Sequence, residues 1–134
     1  MARIDEIRSL NHRDATRLRK AGVRTTEALL RRGATRAGRS ELSDETDIAT
    51  ADLLRWVNVA DVMRIRGVGG EYAELLSICG VSTVRELRRR NAVALTAKIH
   101  TVNHRKDLVR RLPTESMVES WISIADDLEP VVRH

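Results

Sequence analysis

The sequence predicts an all-α protein in which two diverged copies of one helical unit, residues 1–63 and 64–134, pack as a single compact unit. Three observations lead to this prediction. The chain contains only two prolines and has long stretches rich in Ala, Leu, Arg and Glu, a composition that favours helix. It has no Phe, two Trp and one Tyr, so its core must be aliphatic. Finally, the second half repeats the pattern of the first.

The internal repeat is visible in two pairs of short segments. Residues 21–29 (AGVRTTEAL) align with residues 79–87 (CGVSTVREL) at an offset of 58. Residues 56–61 (WVNVAD) align with residues 121–126 (WISIAD) at an offset of 65. Because the two matches occur in the same order at different separations, they indicate a duplicated unit with seven extra residues in the second copy.

Each copy begins with a basic segment and ends with an acidic tail helix. Residues 1–40 and 64–111 each hold 11 basic and 4 acidic side chains, whereas residues 41–63 hold 1 and 6 and residues 112–134 hold 1 and 5. Three interpretations stay open. The acidic helices neutralise the basic segments, the basic segments form one face for an anionic partner, or all of them are solvated helix faces.

Four residues are assigned structural roles from their position in the pattern. Gly22 and Gly80 each follow a short apolar helix, and we expect both to adopt positive φ at its C-terminus, where glycine costs least. Trp56 and Trp121 lie on the apolar stripes of the two tail helices. We expect each tryptophan to anchor the core of its own repeat.

Polar residues ahead of the helical stretches predict where helices begin. Thr50 and Thr114 are expected to cap the two tail helices. Asn91 is expected to cap a helix that runs through Ile99, and Asn103 to cap a further short helix.

A glycine-rich segment, residues 65–76 (IRGVGGEYAELL), lies near the middle of the chain. Gly67 and Gly69 permit a tight turn between two helices. Val68 is placed to fill the core beneath the turn, and Ala73 lets the helices approach closely. A dinucleotide-binding fold is excluded because Tyr72 occupies the third glycine position of that fingerprint and no strand precedes it.

This pattern resembles the helix-hairpin-helix motif, over about a dozen residues. In that family, backbone amides that open the second helix bind nucleic acid backbone without reading sequence. The resemblance implies this capacity for the amides of Gly69, Gly70 and Glu71. The physical basis is that a helix N-terminus carries partial positive charge and free N–H donors, which suit a phosphate.

The whole chain is also similar to an uncharacterised bacterial family of tandem helix-hairpin-helix proteins, a domain family of unknown function. The similarity covers nearly the full length and supports the fold without supplying an activity. The segments that carry it are RWVNVADVMRIRGVGGEYAELL (55–76), GVSTVRELRRRN (80–91), and LVRRLP with the following VESWI (108–122).

Two features weigh against strong nucleic acid binding. Glu71 and Glu74 lie at the start of the helix that would face a phosphate, and carboxylates there repel an incoming anion. The corresponding segment of the first repeat, residues 7–12, has Asn11 where the second has Gly69. Because Asn tolerates left-handed geometry, we expect the turn to persist there with a poorer backbone approach.

Arg64 and Arg66 beside the hairpin, together with the basic runs at residues 88–90, 104–106 and 110–111, weigh in favour of binding, since such side chains give salt-sensitive, sequence-independent affinity for phosphates. The candidate nucleic-acid-binding residues are Arg64, Arg66, Gly67, Gly69, Gly70, Arg88, Arg89, Arg105 and Lys106.

The sequence shows no catalytic constellation. The four histidines are scattered, and Cys79 is the only cysteine, so neither a disulfide nor a multi-cysteine metal site forms within the chain. We therefore expect no enzymatic activity, no metal, no cofactor and no small-molecule substrate. No apolar leader or membrane-length run occurs, which predicts a cytoplasmic protein with no membrane partner.

The first hypothesis is a non-catalytic binding module, an adaptor for an unknown protein partner. It predicts a contiguous apolar patch left exposed after folding. The alternative hypothesis is sequence-independent binding of DNA or other nucleic acid backbone through the hairpin amides of residues 67–71 and the flanking arginines.

Overall fold

The computed structural model describes residues 2–134, which form eight α-helices and, apart from one isolated bridge between Arg3 and Thr25, no β-structure. The prediction of an all-helical fold is therefore confirmed. In chain order, a short 3₁₀ turn Ile4–Glu6 is followed by α1 His12–Lys20, α2 Thr26–Gly33, α3 Arg36–Thr46, α4 Thr50–Val62, α5 Gly70–Ile78, α6 Val84–Arg88, α7 Ala92–Lys106 and α8 Glu115–Asp127.

The helices enclose two hydrophobic clusters that divide the chain near its middle. One cluster is built from residues between positions 4 and 60, where α2, α3 and α4 pack together. The other is built from residues between positions 62 and 125, where α8 packs on α6 and α7. Val59 and Met63 pack against both clusters. The C-terminal end of α4 is thus the element that joins the two cores.

Each cluster contains one tryptophan. Trp56 is 1% exposed in the first cluster, and Trp121 is 3% exposed in the second. The Trp121 ring packs on the ring of Tyr72, with a centroid distance of 5.2 Å and an interplanar angle of 48°. Ala73 is buried on α5 within the second cluster. The two indole rings therefore fill space in two cores whose other buried side chains are mostly aliphatic.

Glycines in left-handed geometry follow α1 and α5. Gly22 has φ +85° and Gly80 has φ +89°. In both places the amide of the following valine donates to a carbonyl five residues earlier, at 2.9 Å. This bond satisfies a carbonyl that the end of the helix would otherwise leave unpaired.

Side-chain caps begin most of the helices. The side chains of Asn91 and Thr114 accept backbone amides three residues later, at 3.0 and 3.1 Å, at the starts of α7 and α8. For α4 the predicted cap is wrong by one residue. Ala49 occupies the cap position and Thr50 is already helical, so no side chain caps this helix.

The predicted break in the helix after residue 99 is wrong. α7 runs on past Ile99 to Lys106, and Asn103 lies inside it rather than at the start of a new helix. The buried Asn103 side chain accepts the amides of Leu108 (2.8 Å) and Val109 (3.0 Å) and donates to the Val109 carbonyl (3.1 Å). Asn103 therefore organises the loop that follows α7. This role depends on the burial of its side chain, which the neighbouring sequence does not predict.

Replacing Asn103 with Ala should lower the free energy of unfolding by about 2 kcal/mol, because it leaves buried backbone groups without partners. Urea denaturation monitored by circular dichroism measures this loss. His104→Ala is the matched control on the same helix, since His104 is exposed, and it should change stability by less than about 0.5 kcal/mol. Equal losses in the two variants would contradict the role assigned to Asn103.

Candidate functional site

The turn between α4 and α5 is a tight, glycine-dependent bend. The Ile65 amide donates to the Val62 carbonyl at 3.1 Å, and the Val68 amide donates to the Ile65 carbonyl at 3.0 Å. Gly67 has φ +93°, and a Cβ atom built there would lie 3.2 Å from Nε1 of Trp121. Both the left-handed backbone and the close approach of the indole therefore require glycine at this position.

The start of α5 leaves its first amides available. Gly69 occupies the cap position with extended geometry (φ −94°, ψ −170°) and supplies no side-chain cap. It is exposed, and a Cβ built on it would meet no atom within 4 Å. Among residues 2–134, no hydrogen bond uses the amides of Gly70, Glu71 or Tyr72. These amides can therefore donate hydrogen bonds to an external anion.

The start of α5 packs against the N-terminal segment of the chain. A Cβ built on the buried Gly70 would lie 1.7 Å from the backbone carbonyl oxygen of Glu6, so only glycine fits there. Next to this contact, the guanidinium of Arg8 forms an ion pair with the carboxylate of Glu71. The two contacts hold the turn at residues 7–10 beside the hairpin at residues 65–69.

Charged side chains rim a cavity of about 420 Å³ at the mouth of the hairpin. Arg66 lies in the turn next to Gly67 and does not itself line this cavity; it is exposed, and none of the ion pairs within the described part of the chain includes it. The Tyr72 hydroxyl donates to the Arg111 carbonyl at 2.8 Å, which brings the loop after α7 to the same rim. The cavity is lined by Glu6, Arg8, Gly67, Gly69, Gly70, Glu71 and Tyr72.

The equivalent segment of the first half differs at its helix start. The Leu10 amide donates to the Ile7 carbonyl at 3.1 Å, as in the hairpin turn. The turn persists as expected, although the Asn11 backbone is extended (φ −74°, ψ 162°) rather than left-handed. Its side chain accepts the Asp14 amide at 2.8 Å and donates to the Asp14 carboxylate at 2.9 Å. The start of α1 is thus capped by its own side chains, whereas that of α5 is not.

Sequence comparison places this arrangement in a family. The model of a domain of unknown function, DUF4332, matches residues 8–128. The chain belongs to this family. The match begins within the turn at residues 7–10 and includes all eight helices and the hairpin, and the expected similarity to an uncharacterised domain family is confirmed. No curated protein and no solved structure matches the chain.

In this DUF4332 chain, two of the candidate nucleic-acid-binding arginines contact other parts of the chain. Arg64 forms an ion pair with Asp61 (2.6 Å) and donates to the Glu129 carbonyl at 3.1 Å. Arg88 donates to the Leu128 carbonyl at 3.2 Å. Both guanidiniums therefore face the C-terminal segment of the chain rather than the hairpin mouth.

The other charged candidates for nucleic acid binding are exposed on the surface. Arg89 is exposed next to Arg88, and Arg105 and Lys106 are exposed at the C-terminal end of α7. The last two precede the loop whose Arg111 carbonyl accepts the Tyr72 hydroxyl. They therefore lie one loop away from the hairpin rim.

Arg8 is a rim residue that the sequence analysis of this DUF4332 chain missed. It precedes Arg66 by 58 residues, which is the offset of the first repeat alignment. Applying that offset to the arginines next to the hairpin would have found Arg8. Its pairing with Glu71 could not have been found that way, because the two residues are 63 positions apart.

Two other titratable side chains in the DUF4332 chain, Asp61 and Cys79, are buried. Burial raises the pKa of the Asp61 carboxyl, although the neighbouring Arg64 guanidinium favours its charged form. Burial also raises the pKa of the Cys79 thiol. Within residues 2–134, no group of three or more His, Cys, Asp or Glu side chains is placed to hold a metal. None of the helices in that range combines the length and apolarity needed to cross a membrane.

Proposed function

We propose that this protein is a non-catalytic binding module whose ligand is the sugar–phosphate backbone of nucleic acid. The observation that carries the proposal is the uncapped start of α5 behind the exposed glycine turn, with Arg8 lining its cavity and Arg66 exposed in the turn itself. Backbone amides at a helix N-terminus bind phosphate through hydrogen bonds and the helix dipole. Neighbouring arginines add sequence-independent attraction.

We propose further that the chain is a tandem pair of helix-hairpin-helix units. Three features at equivalent positions support this: the turn bonds at Leu10 and Val68, the left-handed glycines that end α1 and α5, and the bond to a carbonyl five residues earlier that follows each glycine. The two hydrophobic clusters meet near residue 61. This position supports a division into two units close to the predicted boundary between residues 63 and 64.

Only the second unit has a hairpin suited to a phosphate. The start of α1 is filled by the side chains of Asn11 and Asp14, so a phosphate there would have to displace two hydrogen bonds. A protein with one phosphate-binding hairpin lacks the gain in effective concentration that two linked hairpins would give. We therefore expect weak, non-specific binding, with a Kd of about 10⁻⁴–10⁻⁶ M at moderate salt.

The Arg8–Glu71 ion pair reduces the main electrostatic objection to phosphate binding. Glu71 lies in the first turn of α5, where its carboxylate would repel an anion. The guanidinium of Arg8 neutralises that charge locally and remains half-exposed, with 48% of its side chain accessible. Arg8 therefore offers donors to a phosphate at the same rim.

Arg66→Gln should weaken retention of duplex DNA about fivefold at low salt and reduce the salt slope by about 1, uniformly across sequences. Gly69→Ala should also weaken binding, because it places a methyl group at the exposed entrance to the amides. Glu71→Gln should strengthen binding, because it removes a repelling carboxylate. Fluorescence anisotropy with a labelled duplex, titrated at several NaCl concentrations, measures all three changes.

Arg31→Gln is the matched control for these titrations. Arg31 is exposed on α2, outside the turn between α4 and α5 that contains Arg66, yet its substitution changes the net charge by the same amount as Arg66→Gln. Equal weakening by the two substitutions would show only a net-charge effect. If micromolar protein shifts neither duplex nor single strand at low salt, the proposal is wrong.

The alternative is an adaptor that binds a protein partner. That hypothesis calls for a contiguous exposed apolar patch. Within the described range 2–134, the exposed large hydrophobic side chains are Ile78, Val93 and Leu112, which lie on α5, on α7 and in the loop before α8. A protein partner that is retained from lysate after nuclease treatment, by protein that binds no DNA, would favour the adaptor.

A further inference from the structure

The C-terminal segment, residues 128–134, crosses from the second hydrophobic cluster to the first. Its carbonyls at positions 128 and 129 accept from Arg88 (3.2 Å) and Arg64 (3.1 Å), and the Arg133 amide donates to the Ala34 carbonyl at 2.7 Å. Between this segment and helices α4 and α6 lies a cavity of about 500 Å³. It is lined by Asp61, Arg64, Thr83, Val84, Arg85, Arg88 and residues 130–134.

Positive charge dominates this cavity. Arg64, Arg85, Arg88 and Arg133 line it, and Asp61 is the one acidic side chain in the lining. Asp61 is already paired with Arg64. None of the ion pairs formed within residues 2–134 includes the other three arginines. The cavity therefore concentrates uncompensated guanidinium groups.

Arg88 has unused hydrogen-bonding capacity at this cavity. Of its guanidinium nitrogens, only Nη2 donates a hydrogen bond to another group in the described range 2–134. Its Nε is buried and has no acceptor there. A charged donor without an acceptor is costly, and an anionic oxygen is its strongest partner. The N–H groups of Nε and Nη2 lie side by side on one edge of the guanidinium, the geometry that suits two oxygens of one phosphate, and a rotation of the side chain would present this edge to the cavity.

The opposite wall of the cavity is partly apolar. Val84 contributes from α6, and Pro130, Val131 and Val132 contribute from the C-terminal segment. A volume of about 500 Å³ lies in the range of small-molecule sites, which combine apolar walls with a few oriented polar groups. The combination fits a ligand with an anionic group at one end and an apolar body.

We propose that this cavity binds a small organic phosphate, with the phosphate held by Arg88 and Arg85 and the body packed against Val131 and Val132. The phosphate group is favoured over a single carboxylate because at least two guanidiniums lack a counter-charge there. This site is separate from the hairpin, and it assigns to Arg88 a ligand other than nucleic acid backbone.

The test is a titration of the full chain with AMP, inorganic phosphate and succinate at constant ionic strength. The readouts are the thermal midpoint and the ¹H–¹⁵N signal of the Arg88 Nε–H group. AMP should give a saturable rise in thermal midpoint and shift the Arg88 signal, inorganic phosphate should bind more weakly, and succinate should have little effect. Binding of inorganic phosphate as tight as that of AMP would show that the apolar wall does not contribute, and would overturn the organic part of the proposal.

Arg88→Gln should weaken AMP binding at least about tenfold, because it removes a charged donor. Arg88→Lys should bind AMP more tightly than Arg88→Gln and more weakly than wild type. Lysine keeps the positive charge but lacks the planar guanidinium that donates two parallel hydrogen bonds. Arg89→Gln is the matched control, because Arg89 is the exposed neighbour and does not line the cavity. Should Arg88→Gln fail to fold, Arg85→Gln tests the same site from an exposed position.

The proposal is overturned if no anion gives a saturable effect, or if Arg88→Gln binds AMP as tightly as Arg89→Gln. The outcome is independent of the proposed function. AMP binding without duplex retention would contradict only the nucleic acid hypothesis. Duplex retention without AMP binding would contradict only the proposal of an organic phosphate site. Arg88→Gln should leave duplex retention within about twofold of wild type, as expected for one charge lost away from the interface.

Discussion

Replacing Trp56 with Ala is expected to lower the free energy of unfolding by about 3–5 kcal/mol, the range for deleting a buried aromatic side chain. Trp56 is 1% exposed and lies in the first hydrophobic cluster, where the other buried side chains are aliphatic. The neighbouring helices can fill only part of the space left by an indole, so a cavity remains. Urea denaturation followed by far-ultraviolet circular dichroism measures the loss.

Trp56→Phe is the informative partner of this variant. The indole Nε1 of Trp56 is buried and has no hydrogen-bond acceptor among residues 2–134. Phenylalanine keeps most of the apolar contact and removes a donor that has no acceptor, so its cost should be about 1–2 kcal/mol. A loss clearly above about 2 kcal/mol for Trp56→Phe would contradict an indole N–H without an acceptor.

Replacing Gly70 with Ala should destabilise the protein by about 3 kcal/mol, at the upper end of the range for overpacking. The added methyl carbon would lie 1.7 Å from the Glu6 carbonyl oxygen, and 2.8 Å from the Glu6 carbonyl carbon. Both are backbone atoms, so no side-chain rotation can relieve the clash. Either the N-terminal segment or the start of α5 must move, and the two turns separate.

Gly69→Ala is the matched control for stability. Gly69 has negative φ, and a Cβ there meets no atom within 4 Å, so the change should alter the free energy of unfolding by less than about 0.5 kcal/mol. Chemical denaturation of the two variants side by side measures the difference. A Gly70→Ala protein as stable as Gly69→Ala would contradict the contact with Glu6.

These two glycines also separate the structural role of the hairpin from its binding role. Gly69→Ala should weaken duplex binding in a protein that remains fully stable, because its methyl group lies at the entrance to the α5 amides. Gly70→Ala acts on the contact that holds the two turns together. A loss of DNA binding in Gly70→Ala alone would therefore report a disrupted fold rather than a lost phosphate contact.

Features that depend on residues within about five positions of each other were predictable from the sequence. The caps at Asn91 and Thr114 and the left-handed glycines at 22 and 80 are of this kind. The error at Asn103 has the same origin. An asparagine is a good local cap, but here its burial against the following loop outweighs the local preference, and the helix continues through it.

The sequence by itself determined the helical class, several helix ends and the glycine bend, because spacing, propensity and capping act within a few residues along the chain. Only the tertiary structure decided what meets across the molecule. It placed Glu6 against Gly70, paired Arg8 with Glu71, and turned Arg64 and Arg88 toward the C-terminal segment. Such contacts join residues 40 to 65 positions apart. They are set by how the two cores pack around α4, which no local pattern encodes.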